Sequence, residues 1–147
     1  MSKTKFDVIK EVTMKIAKVN TTIRQFIQCN FKKHNIDLTF EMVQVMGILW
    51  RKDGVNQQEI ANITVKDKAS ITYIIDNLTK RGLVTRLEDA NDRRNKLILL
   101  TEHGKLLQTK VQPFINEMYE AAEKDLDITQ LTDFMVFLDK MDENLKV

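Results

Sequence analysis

The hydrophobic pattern of this chain keeps a helical period almost throughout and leaves it only in two short stretches. From Phe6 through Ile9, Val12, Ile16, Val19, Ile23, Phe26 and Ile27, apolar residues recur at intervals of three and four, the stripe of an amphipathic helix spanning about residues 4–33. The same spacing returns in Ile71, Ile74, Ile75 and Leu78, and again in Leu106, Leu107, Val111, Phe114, Ile115 and Met118. Leu83-Val84-Thr85-Arg86-Leu87 and Lys96-Leu97-Ile98-Leu99-Leu100 read instead as strands, joined by a wholly polar or small stretch, Glu88 to Asn95. A chain of 147 residues with four Gly and one Pro has few residues for tight turns, which weighs against all-β sandwiches, barrels and propellers. Gly47, Gly54, Gly82 and Gly104 also lie too far apart for a glycine-rich phosphate cradle.

Helix boundaries are legible. Thr39 is placed to cap a helix ending near Lys52, before the turn Asp53-Gly54. Asn56-Gln57-Gln58-Glu59 has the form of a capping box and opens a short helix through Ile63. Lys66 or Asp67 opens the next, which stops at Lys80-Arg81-Gly82 with Gly82 suited to positive φ. Gly47 within a helix implies close approach of another helix, and Pro113 implies a kink. A last helix starts near Asp127 or Thr129, with Leu131, Phe134, Met135, Leu138, Met141 and Leu145 apolar.

The expected fold is mainly α with a small β-hairpin wing: a winged helix-turn-helix lobe at 39–104 between a long N-terminal helix at 1–38 and C-terminal helices at 105–147. The terminal helices exceed what one lobe needs, and a symmetric dimer supplies a partner surface most simply. Residues 1–38 carry 8 basic and 3 acidic groups, whereas residues 105–147 carry 5 and 9, so the two ends attract. Between Lys66 and Lys96 there are 8 basic and 5 acidic side chains, the stretch where an anionic partner is expected.

Two segments carry candidate chemistry. The helix Asp67–Arg81 has a polar side of hydrogen-bonding groups that reach base edges or phosphates, including Lys68, Ser70, Thr72, Tyr73 and Asn77, with Lys66 at its entry. Judged alone, such a face is more often merely solvated. The loop Asp89-Ala90-Asn91-Asp92-Arg93-Arg94 puts two adjacent arginines at a hairpin tip, where they could enter the negative potential of a narrow minor groove, with Asp92 bracing one guanidinium.

Here the sequence resembles the MarR family of bacterial transcription regulators. The resemblance rests on Asp67-Lys68-Ala69-Ser70-Ile71-Thr72, on Asp76-Asn77-Leu78-Thr79-Lys80-Arg81-Gly82-Leu83-Val84, and on Asp89-Ala90-Asn91-Asp92-Arg93-Arg94 followed by Leu100-Thr101-Glu102-His103-Gly104. Val55-Asn56-Gln57-Gln58-Glu59-Ile60-Ala61 matches the family's first helix of the motif. The resemblance implies a homodimer built from the terminal helices, with Asp67–Arg81 in a major groove of double-stranded DNA and Arg93 or Arg94 in the adjoining minor groove. It further implies a phosphate on the helix N-terminus at Asn56 and Gln57, and a pseudo-palindromic operator with half-sites ~34–36 Å apart. Two positions depart from the family: Val65 is β-branched where the turn usually holds a small residue, and Tyr73 stands where many relatives have Arg. Tyr73 reads a base edge or a thymine methyl, or packs against the backbone.

The family also binds small aromatic or lipophilic effectors where lobe meets dimer helices, and the cluster Met42, Met46 and Trp50, expected mainly as core, has the flexible Met side chains that suit such a pocket. The leading expectation is thus a DNA-binding repressor released by an effector. Alternatives are a winged-helix protein–protein module, and a redox-sensing regulator using Cys29, although a lone thiol is more often buried and inert. Scattered carboxylates and the distant His34 and His103 give no catalytic constellation and no metal set, so neither enzyme activity nor a cofactor is expected. A single cysteine, no signal-like start and no long apolar run fit a reducing cytoplasm without a membrane span.

Overall fold

Each helix starts at a side chain that accepts from a backbone N–H of its first turn. In the computed structural model, which describes residues 2–147, helix α1 runs Lys5–Lys33. Thr4 caps it in a reciprocal box with Asp7, whose carboxyl is held low by its hydrogen bonds with Thr4. Helix α2 (Phe40–Arg51) is capped by Thr39, whose hydroxyl accepts from the Met42 N–H at 3.2 Å. Strand β1 (Val55–Asn56) leads into α3 (Gln57–Thr64), and Asp67 caps α4 (Lys68–Lys80). Strands β2 (Val84–Glu88) and β3 (Lys96–Leu100) precede α5 (Glu102–Glu123) and α6 (Ile128–Leu145).

The chain is mainly helical with a small antiparallel sheet, as expected, but the wing is not a bare hairpin. The sheet has three strands in the order β1-β3-β2. Val55 lies opposite Ile98, so the start of the helix-turn-helix is bonded to the wing. Two paired residues are too few for a period to show in sequence, which is why β1 was not foreseen.

The lobe closes around Val45, Met46, Leu49, Ile60, Ile71, Ile75, Leu78, Val84 and Ile98, all almost fully buried. A second cluster joins α1 to α5 through Ile27, Phe31, Val111 and Met118. Gly82 (φ +70°) ends α4 as foreseen. Gly104 lies in the first turn of α5 rather than in a free turn, and a Cβ there would stand 2.1 Å from the Leu83 carbonyl oxygen. Its own carbonyl accepts from the Trp50 indole N–H at 2.9 Å, which fixes α5 on α2.

Several expectations are corrected. Asn56 caps α3 by accepting from the Gln58 N–H at 2.7 Å, and Glu59 does not return the bond. Gly47 meets no other helix, since a Cβ there would touch nothing within 4 Å. Pro113 lies inside α5, which continues through it from Glu102 to Glu123. Its ring removes the bond to the carbonyl one turn earlier and crowds that carbonyl. Lys66 precedes the cap of α4 and so belongs to the turn, not to the helix. Cys29 is exposed on α1, not buried. His34 caps the end of α1, its Nδ1 2.8 Å from the Asn30 carbonyl.

Val65 holds a left-handed backbone (φ 53°, ψ 43°) at the end of α3. That conformation suits glycine, and a β-branched residue there stores roughly 1–3 kcal/mol of strain. Among the described residues no helix is long and apolar enough to cross a membrane.

Candidate nucleic-acid interface

Two parts of the lobe face the same side: the exposed flank of α4 and the tip of the wing. An open groove of about 460 Å³ lies between them, lined among others by Lys68, Thr72, Asp76, Arg86, Arg94 and Lys96. Of its twelve lining residues four are basic and one, Asp76, is acidic.

The wing tip is shaped by two consecutive aspartate turns. The Asp89 carboxylate accepts from the Asn91 N–H and the Asp92 carboxylate from the Arg94 N–H, both at 3.0 Å. Asp92 therefore holds the backbone of Arg94, not a guanidinium, which corrects the bracing role expected of it. The short Asx geometry wins because the carboxylate meets the N–H two residues on without any side-chain ordering. Arg93 and Arg94 are exposed, and neither takes part in an ion pair among the described residues.

Arg86 ties the parts together. From β2 its guanidinium donates to the Asp76 carboxylate on α4 at 2.6 Å, to the Gln57 amide oxygen at 3.3 Å and to the Thr72 carbonyl at 3.4 Å. Gln57 in turn donates to the Thr72 hydroxyl at 3.0 Å, and that hydroxyl donates to the Lys68 carbonyl. Gln57 and Thr72 are thus structural links between the two helices. Sequence reasoning missed Arg86. The available signal was period two: Val84 points into the core, so Arg86 shares its face and needs polar partners there.

Asn77 bonds back to the Tyr73 carbonyl at 2.9 Å. Lys68, Ser70 and Tyr73 remain free on the exposed flank, with Tyr73 71 % exposed. The Asp67 carboxyl is held below its ordinary value by the hydrogen bond from the Ser70 N–H, so this cap stays ionised at neutral pH.

A separate cavity of about 660 Å³ opens between α1, α2 and α5. Its walls include Ile23, Ile27, Phe40, Ile115 and Met118, and Gly47 leaves it unobstructed. Arg51 is the one charged side chain lining it. Met42 and Met46 do not line it. Both are buried in the lobe core, because α2 turns that face toward α4 and the sheet, away from the cavity.

Helix, turn, recognition helix and three-stranded wing define a winged helix-turn-helix protein, and the wider comparisons agree. The sequence pattern of the MarR family matches residues 38–96. The homoprotocatechuate degradative operon repressor of Escherichia coli is 30% identical over 113 residues, 73% of this chain and 75% of its own length. The HTH-type transcriptional regulator FarR of Neisseria gonorrhoeae is 29% identical over 112 residues, 74% of this chain and 77% of its length. Among solved structures, S. aureus MepR in its DNA-binding conformation superposes with a TM-score of 0.82 at 23% identity, covering 92% of this chain and 98% of that one. A MarR regulator from Methanosarcina mazei gives 0.76 at 24% identity, covering 92% and 96%. The chain belongs to the MarR family of transcriptional regulators.

Proposed function

We propose that the protein is a homodimeric repressor that binds a pseudo-palindromic site on double-stranded DNA and is released by a small aromatic or lipophilic ligand. The observation that carries it is the pair of unpaired arginines, Arg93 and Arg94, held by aspartate turns beside the exposed flank of α4. Lys68, Ser70 and Tyr73 face the major groove in this reading, and Lys66 meets a phosphate at its edge. The α3 N-terminus at Asn56 and Gln57 adds a backbone phosphate contact. Thr72, Asn77 and Asp92 serve by positioning their neighbours. Residues 39–104 act as the DNA-binding lobe, and residues 1–38 and 105–147 as the dimerisation helices.

Solved relatives support the reading in their own right: S. aureus MepR is known in complex with DNA, and CouR of Rhodococcus jostii RHA1 with p-coumaroyl-CoA. In this chain the cavity beside Phe40 and Arg51 is the fitting ligand site. A ligand there releases DNA only by binding better to dimers whose lobes are mis-spaced. Affinity for operator fragments should fall linearly with salt on logarithmic axes, as counterion release requires. Arg93→Ala and Arg94→Ala should each weaken binding and flatten that slope by about one. Unchanged affinity and slope in both variants would remove the wing from the interface.

A further inference from the structure

The free groups on α4 are a poor set for reading bases by hydrogen bonds, and the reason is internal. A side-chain amide reads adenine by offering its oxygen and its N–H together. Gln57 spends both on Thr72 and Arg86. Asn77 donates to the Tyr73 carbonyl, Gln58 donates to the Asn62 amide oxygen, and the Asn56 amide oxygen accepts from the Gln58 N–H. Guanine is read by Arg or Lys. Arg86 is locked to Asp76 and Arg81 pairs with Asp37 at 3.1 Å, which leaves Lys68 as the one free cation in the first turn of α4 among the described residues. Lys68 and Ser70 remain, beside an apolar crest formed by Ala69 and the Tyr73 ring one turn later. At the head of the helix, Val65 is 91 % exposed in left-handed backbone, so its isopropyl group packs on nothing in the chain.

We infer that this recognition surface selects its half-site chiefly through thymine 5-methyl groups, contacted by the Tyr73 ring and by Val65. The inference rests on the DNA-binding reading above and names the substrate class of that site: half-sites with thymines at defined major-groove positions. Arg93 and Arg94 add minor-groove affinity without distinguishing A·T from T·A.

Selection of bound duplexes from a random library by the full-length protein gives the site. Each thymine of a half-site is then replaced by deoxyuridine, which removes one methyl and leaves every hydrogen-bonding edge intact. Binding should fall about fourfold per contacted methyl, the fold-change equivalent of one buried methyl group. In Tyr73→Ala, thymine and deoxyuridine should bind alike at one position, while Tyr73→Phe should keep the difference. Val65→Gly should remove the difference at another position. Duplexes enriched normally but indifferent to deoxyuridine would overturn this inference and leave the DNA-binding reading standing. No enrichment at low salt would overturn both.

Discussion

The winged lobe and the C-terminal helix solve the same problem in opposite ways. The lobe places its apolar residues against one another: Ile71, Ile75, Leu78 and Ile98 are sealed between α2, α4 and the sheet. Helix α6 has a comparable apolar content and fully buries none of it: Leu131, Leu138 and Met141 are only half-buried. Ile128, Phe134, Met135, Val136, Phe137 and Leu145 stand exposed. A patch of that kind on a folded chain marks a surface meant for a partner. In the proposed dimer, the difference separates a region whose stability is intramolecular from one whose stability depends on association.

The largest expected effect breaks that separation. A double variant, Phe134→Glu with Phe137→Glu, should leave the lobe folded and abolish self-association, as measured by sedimentation. Operator affinity should fall by roughly 10²–10⁴, the avidity lost when two linked lobes become one. A dimer that survives both charges would show that α6 is not the interface and that its exposed face has another use.

The lobe should be breakable only from inside. Gly104→Ala sets a methyl against the Leu83 carbonyl, a backbone atom that cannot swing aside. Overpacking of this kind costs typically about 1–3 kcal/mol, and here the upper end is expected. Thermal unfolding should shift down by several degrees. Because the same contact joins the residue before β2 to the start of α5, DNA affinity should fall with it. A variant of unaltered melting temperature would show that α5 can slide on the lobe.

Val65→Gly tests the lobe at its one strained turn. Relief of left-handed strain exceeds the entropic cost of glycine, so the variant should gain about 1 kcal/mol. A loss of stability would mean that the isopropyl group packs against something after all. A gain in stability accompanied by weaker specific binding would place the strain in service of function.

The lobe was also far more legible in the sequence than its surroundings. Thr39, Asp67, Gly82 and Thr101 mark their helix ends because each residue type meets a backbone need that few others meet. The arginine tip stood out because Asp89, Asn91 and Asp92 are turn formers with no apolar anchor beside them. Strand β1 and the Arg86 network did not stand out. Both arise from pairing between segments ten or more residues apart: local periodicity puts Arg86 on the inward face of β2 but does not record its partners. The cavity was expected near Met42 and Met46 for a related reason. A methionine's type says that it can adapt to a pocket, but the rotation of α2 decides which one: Met42 lines an open groove of about 690 Å³ on the α4 side, with Ser70 and Tyr73.

The joint between the two regions supplies the smallest effect. Arg24 of α1 lies over the Phe40 ring at 4.7 Å and bonds the Glu41 carboxylate at the start of α2. Burial pushes the Glu41 carboxyl up, but the Arg24 hydrogen bond, a backbone bond and the charges of Arg24 and Lys66 together hold it below its ordinary value. A carboxyl depressed on folding contributes stability that is present above its unfolded value, near 4.5, and lost as pH falls through the folded one. With both partners partly solvated, the contribution is about 0.5–1 kcal/mol. Melting curves of the protein and of Glu41→Gln should therefore differ slightly at neutral pH and converge as pH falls through the lowered value of the folded carboxyl. Phe40 also walls the cavity, so the pair is placed to register what occupies it. If Glu41→Gln also weakens operator binding at neutral pH, the joint sets lobe spacing. If it alters melting alone, the two regions are coupled only through their apolar contacts.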